Sequence, residues 1–335
     1  MSFKPFDPQD FVVSSDSITS TLWSTNLPAL TQFFTSSQQI AGSSGNYYLS
    51  VYNTSSTDQI VQFETVYADL LGSGSELYNI IVPNNSYTKT MYGQYRSLIL
   101  EDENASFIFG TDNNTITSDH FWVISIDRAR YKQALFPGSL NLTLSGSGGL
   151  LELTDDSNDI LINRFIGSSR VYQLISGSNG TAGSLANSGY VPNSGSYGLV
   201  FPDLGTIILN PYAISESIQV APSRSFNSPG LNTQTLYTAI SGGASFGLNS
   251  QETITSDYVF VRARNSEFNY SENPSFISGS TGEVIYDDFI NQPQTYITTI
   301  GMYNNSNELL AVAKLSRPLL KDFTKESLVR VKLDF

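Results

Sequence analysis

Residues 295–335 read TYITTIGMYNNSNELLAVAKLSRPLLKDFTKESLVRVKLDF, and their pattern decides the fold class. Two apolar-rich runs, Thr295–Tyr303 and Glu308–Leu315, flank Asn304, Asn305, Ser306 and Asn307. Asn and Ser at that loop length signal a β-hairpin. A third run alternates Leu328, Val329, Arg330, Val331, Lys332, Leu333, Asp334 and Phe335. Alternation with a period of two puts successive side chains on opposite faces of a strand. Ending there, the chain is expected to pair this run in a sheet, because a loose apolar terminus frays and exposes an edge.

Towards the N-terminus the same kind of run recurs. Tyr47–Asn53 and Gln59–Tyr67 flank the turn Thr54–Asp58 and predict a second hairpin. Further strand-like runs are Tyr78–Val82, Arg96–Leu100, Ser106–Gly110, Phe121–Asp127, Leu140–Leu144, Leu150–Leu153, Ile160–Phe165, Arg170–Ile175, Leu199–Phe201, Thr206–Leu209 and Tyr258–Arg264. Turn-rich clusters separate them, the signature of sandwich-like β domains. Ser176–Ser196, rich in Gly, Ser, Asn and Ala, predicts an exposed loop, and Pro211–Val220 a short helix. Leu27, Leu30, Phe33 and Phe34 within Leu27–Gln39, with Asn26 as N-cap and Pro28 in the first turn, predict another short helix. The fold class is therefore mainly β: antiparallel sandwich-like sheets with a short N-terminal helix and a C-terminal closing strand. The expected domains are an N-terminal arm with that helix (1–45), a first β domain (46–215), and a second β unit carrying the hairpin and terminal strand (216–335). The string Thr-Ile-Thr-Ser-Asp occurs at both 115–119 and 253–257, each time ahead of an apolar run and an Arg-Ala-Arg, and raises a duplicated β unit as one reading.

Composition narrows the function classes. Of 335 residues 40% are hydrophobic and only 14% charged, which excludes a disordered acidic chain and a heavily charged coiled coil. Gly (25), Tyr (19) and Phe (20) suit many short strands joined by tight turns. The absence of Cys removes disulfides, thiolate metal sites and cysteine nucleophiles, and fits a reducing cytoplasm. The first residues carry no apolar signal core and no run approaches the roughly 20 apolar residues of a membrane helix, so neither secretion nor a membrane is expected. A net charge of −13 disfavours nucleic acid as a partner. Lys314–Phe335 nevertheless holds six basic against three acidic residues, a net +3 that leaves −16 elsewhere. These cations are either the solvent side of the last strands or a strip that docks on an acidic neighbour.

Candidate chemistry is sparse. The single histidine, His120, lies between Asp119 and Phe121-Trp122 and reads as a polar residue at a strand entrance. One histidine without cysteine does not make a zinc site. Asp155-Asp156 and Asp287-Asp288 are acid pairs, but adjacent strand residues point to opposite faces, unlike the facing carboxylates of a glycosidase. Asp155, Asp156, Ser157, Asn158 and Asp159 offer oxygens suited to calcium but lack the Gly and Glu of an EF-hand loop. Gly72–Ser75 and Gly146–Gly149 lack the Lys of a phosphate loop. The expectation is no enzyme, no cofactor and no metal.

The C-terminal string, together with Arg262-Ala263-Arg264-Asn265 and Phe268-Asn269-Tyr270-Ser271-Glu272-Asn273-Pro274-Ser275-Phe276, resembles the C-terminal signature of virion structural proteins of T4-like marine myophages, of the cyanophage type. Asp127-Arg128-Ala129-Arg130-Tyr131-Lys132, Phe136-Pro137-Gly138, Leu153–Ser157, Gly72–Ser75 and Tyr92–Arg96 resemble the same group. The resemblance implies a structural subunit of a contractile-tailed bacteriophage, tail- or baseplate-associated, assembled in the host cytoplasm and located in the virion. Its partners would be other virion proteins and further copies of itself. A receptor-binding tail fibre or adhesin, and a neck, collar or head-decoration protein, are the alternatives. The motifs carry over no catalytic or ligand residue. Assembly is expected by strand addition and apolar contact, through Leu328, Val329, Arg330, Val331, Lys332, Leu333 and Phe335 of the last strand and Phe33 and Phe34 of the arm.

Overall fold

Residues 4–35, 48–74, 86–111, 113–184, 186–224, 231–270 and 274–334 are described by a computed structural model. The chain divides into two units, one formed by 18–252 and the other by 1–17 with 253–335. Both are built mainly from antiparallel β-structure. In chain order the strands are β1 (Phe11–Thr21), β2 (Ala29–Leu30), β3 (Leu49–Tyr52), β4 (Val61–Asp69), β5 (Phe107–Thr111), β6 (Asn114–Ser118), β7 (His120–Ile126), β8 (Ala134–Leu135), β9 (Asn141–Gly146), β10 (Gly149–Asp155), β11 (Arg164–Ile166), β12 (Ser169–Ser178), β13 (Thr181–Ala182), β14 (Gly198–Phe201), β15 (Thr206–Leu209), β16 (Phe246–Gly247), β17 (Asn249–Ala263), β18 (Gln294–Tyr303), β19 (Leu309–Asp322) and β20 (Ser327–Asp334). The helices are α1 (Tyr87–Ile99), α2 (Pro211–Ile218), α3 (Leu231–Gly243) and α4 (Asp287–Asn291).

The 18–252 unit is organised by a large sheet of order β2-β16-β9-β10-β12-β14-β15-β7-β4-β3, with β11 and β13 attached to β12. Its central strands bury apolar side chains on both faces because both faces are covered. Along β7, Phe121 and Val123 face one core while Trp122, Ile124 and Ile126 face the other. The same split separates Leu199 and Phe201 from Val200, and Ile208 from Ile207 and Leu209. Helix α1 and the β5–β6 hairpin contribute Tyr92, Ile99, Phe107 and Phe109 to the first core. Helices α2 and α3 contribute Ala213, Ile214, Ile218, Leu236 and Ile240 to the second. At one end of that second core the rings of Trp23 and Phe63 meet Phe246 edge to face at 4.9 and 5.3 Å.

Local chemistry accounts for the helix limits. Asn210 caps α2: its Oδ1 accepts from the Tyr212 N–H at 3.1 Å, and Pro211 fills the first position, where no N–H is required. Gln219 ends the helix in the left-handed region at φ +57°.

Three sequence expectations are corrected here. The segment Leu27–Gln39 is extended over its described part, 27–35: β2 pairs with β16 and Phe34 bridges Tyr52, so Leu30 and Phe33 reach the core from a strand-like backbone. The helical turn near the N-terminus is the 3-10 turn Pro8–Asp10. Arg96–Leu100 is the end of α1 and not a strand; Thr88, Tyr92 and Ile99 recur on one helical face, a spacing that the apolar end of the segment masks. Ile160–Phe165 is extended only from Arg164. Tyr78–Val82 lies outside the described residues. The hairpins Leu49–Tyr52/Val61–Asp69 and Gln294–Tyr303/Leu309–Asp322, the α2 helix and the terminal strand occur as the patterns indicate.

The other unit sets a sheet of order β1-β17-β20 and the β18–β19 hairpin around a small core. Val259 and Val331 pair in register across β17 and β20 and meet Met302, with Ile300, Ala311 and Ala313 behind it. The first residues belong to this unit too. Lys4 Nζ donates to the Arg262 carbonyl at 2.7 Å and to Glu267 at 2.9 Å, and Phe6 packs on the small core.

Candidate functional site

The alternation of β20 divides the expected assembly residues. Val329, Val331 and Leu333 face the unit's own core, whereas Leu328, Arg330 and Lys332 are exposed. Arg330 and Lys332 lie 5.4 and 6.0 Å from the ring centroid of Tyr258, and Lys332 pairs with Asp334 at 2.9 Å. Phe335 lies outside the described residues. Phe33 and Phe34 belong to the 18–252 unit, where Phe33 is buried against Phe63 at 6.2 Å and Phe34 is bound to Tyr52. The described positions are thus divided between the two units and, within β20, between two faces of the strand. Among the described residues β1 and β20 each have a strand on one side only, which leaves two open edges on this sheet.

Strand β19 carries a feature that its alternation alone does not reveal. In Leu310-Ala311-Val312-Ala313 the two alanines face inward, and the larger Leu310 and Val312 face outward at 69% and 57% exposure. The order is the reverse of the ordinary one, in which the larger apolar side chain takes the core. Opposite them on β18, Val312 is in register with Gly301, and Tyr303 with Leu309. The Tyr303 ring covers Gly301 so closely that a Cβ there would meet its edge at 2.9 Å. An apolar patch of Tyr303, Leu309, Leu310 and Val312 results on the outer face of the hairpin. The same unit exposes Phe11, Val12 and Val13 on β1, and Tyr286 and Ile290 beside the Phe276–Phe289 pair.

The 18–252 unit holds a second concentration of polar chemistry where β4 ends and β7 begins. Asp69 is fully buried and accepts from the backbone N–H groups of Leu71 and Ser73 and from Arg224 Nε at 2.8 Å. Arg224 Nη2 also donates to Asp119 at 2.9 Å, and the other Asp119 oxygen meets His120 Nδ1 at 2.7 Å. His120 packs edge-on against Tyr212 at 5.0 Å. Burial holds the His120 imidazole below its ordinary pKa, against the pull of Asp119. Burial also pushes the Asp119 carboxyl upward, but the hydrogen bond from His120 and the Arg224 charge outweigh it and hold the group low. The Asp119 carboxylate is shared by a histidine and a guanidinium, an arrangement that locks a strand end and orients an imidazole. No sequence signal pointed to Arg224 or Asp69, because 155 positions separate them.

The acids 155–159 are turned apart. Both Asp155 oxygens accept from the Gly138 N–H at 2.9 Å, Asp156 takes Arg164 at 2.8 Å and the Gln173 N–H at 2.9 Å, and Asp159 takes the Ala182 N–H at 2.8 Å. Burial raises the pKa of both Asp155 and Asp156, for the latter against the Arg164 charge. Asp287 and Asp288 lie exposed in the first turn of α4. A groove of about 470 Å³ runs beside α3, lined by Ser145, Gln219, Val220, Gln234 and Thr238 among neutral residues only. No helix among the described residues is long and apolar enough to cross a membrane.

No family model, curated protein or solved structure matches the chain.

Proposed function

We propose that the chain is an architectural subunit, working by assembly with other proteins, in the virion of a contractile-tailed phage at the tail or baseplate. The observation that carries the assembly reading is the inverted packing of β19, which turns the half-buried Ala311 and Ala313 to the core and presents Leu310 and Val312 to the outside. A contiguous apolar patch on a small unit is stabilised when a partner covers it. The open edges of β1 and β20 offer backbone N–H and C=O groups for strand addition beside it. The phage assignment rests on the resemblance of the C-terminal strings and is independent of the patch.

Sedimentation of the full chain tests the assembly part. Self-association that rises with concentration and is lost in the Leu310→Lys, Val312→Lys double variant, with the circular dichroism unchanged, supports it. A chain that stays monomeric and binds no component of the particle overturns it. Side-chain-resolution electron cryomicroscopy of purified particles tests the phage part: density for this chain at the tail or baseplate supports it, and absence from the particle removes it.

A further inference from the structure

Lys321, in β19, is buried completely, yet no carboxylate lies in ion-pair reach of its ammonium among the described residues. Its three hydrogen bonds go to neutral oxygens: the Asn265 carbonyl at 3.0 Å, Asn269 Oδ1 at 3.0 Å and the Asp322 carbonyl at 2.9 Å. Asn269 is buried as well, and its Nδ2 donates to the same Asn265 carbonyl at 2.5 Å. The amine nitrogen therefore sits against the carbonyl of a side-chain amide. The nitrogen that the amide would release shares an acceptor with the nitrogen that would attack. Thr295, in register with Lys321 across the hairpin, donates from Oγ1 to the Phe268 carbonyl at 2.8 Å and holds the 265–269 segment in place. The Oδ1 that Lys321 Nζ reaches is one bond from Asn269 Cγ, and groups held together in a water-poor site have part of their entropic cost already met.

We propose that Lys321 and Asn269 join through an intramolecular isopeptide bond. Lys321 Nζ attacks Asn269 Cγ, the Cγ–Nδ2 bond breaks, and an amide links the two side chains. Starting from the ammonium, Nζ gives up two protons and the departing nitrogen takes both, so that ammonium leaves and no oxidant or co-reactant is consumed. The product is neutral where the reactant held a buried cation whose hydrogen-bond partners among the described residues are neutral oxygens, and a buried charge so placed is costly. In a chain without cysteine this bond would tie β19 to the 265–269 segment across 52 positions.

Intact mass spectrometry of the purified full chain is the test. The expected mass is that of the sequence less one ammonia, and proteolysis should yield one branched peptide joining Lys321 to Asn269. The variants Lys321→Arg and Asn269→Ala should each return to full mass. A wild-type chain at full mass overturns the proposal, as does an ammonia loss that maps elsewhere or survives either substitution.

Discussion

Arg224 and Asp69 meet at 2.8 Å across 155 positions, and the aspartate of the pair is fully buried at the end of a central strand. Removing the guanidinium leaves a buried carboxylate with two backbone donors and a long hydrogen bond from the Tyr67 hydroxyl but no counter-charge on it. Arg224→Met should cost roughly 2–4 kcal/mol of unfolding free energy. Asp119→Asn, at a half-exposed position of the same network, should cost about 1 kcal/mol or less. Urea denaturation of the two variants checks the ranking, and equal losses would mean that Asp69 does not depend on Arg224.

His120 is the single histidine, so its resonance is unambiguous in a proton spectrum. Burial lowers its pKa in the folded chain, so the unfolded chain binds the proton more tightly. Stability from this group is complete above its unfolded value of 6.5 and is lost as pH falls from there through the folded value. The titration midpoint should lie below 6.5, and His120→Gln should flatten the stability profile on the acid side of that value. The raised pKa values of Asp155 and Asp156 act with the opposite sign above their ordinary 3.8, and cancel when the variant is compared with the wild type. A midpoint above 6.5 would show that Asp119 outweighs burial.

Phe246 receives the rings of Trp23 and Phe63 from two remote stretches of chain. Phe246→Ala should cost about 3–5 kcal/mol, with a cavity beside Trp23. A shift of tryptophan emission in the native state, together with the lowered urea midpoint, is the readout.

Asn210 is buried and bonds in three directions: to the Tyr212 N–H, and from Nδ2 to the carbonyls of Ser194 and Ser196 at 2.7 Å each. Asn210→Ala removes a cap and orphans two carbonyls, for a loss of roughly 2–3 kcal/mol. Asn210→Asp keeps the cap but turns a carboxylate oxygen toward the two carbonyls in a buried site, and should cost at least as much as Ala. A smaller loss for Asp than for Ala would place most of the effect in the cap.

The strands were legible where one apolar run met one turn. Asn304–Asn307 announced the β18–β19 hairpin, and Thr206–Leu209 is the same four residues in sequence and structure. Helix α1 was not, because a run such as Ser97-Leu98-Ile99-Leu100 satisfies strand and helix alike until its partners are known. Helix α3 carries Leu236, Ala239 and Ile240 on a face diluted by Thr, Ser and Gly, too weak a stripe to separate from loop composition. The sheet order is a matter of long-range pairing, and no local signal places β16 beside β9. Side-chain placement failed in a different way: alternation told which β20 residues share a face, but which face is buried depends on what lies opposite.

The strands of the smaller unit come from residues 1–17 and 253–335, and the larger unit lies wholly between them in sequence. During synthesis a chain that has emerged as far as residue 252 can complete the larger unit but not the smaller, since β1 must wait for β17 and β20. For that interval Phe11, Val12 and Val13 travel on an unpartnered strand, and ribosome-bound chains halted before residue 253 should be the form of this protein most prone to capture by chaperones.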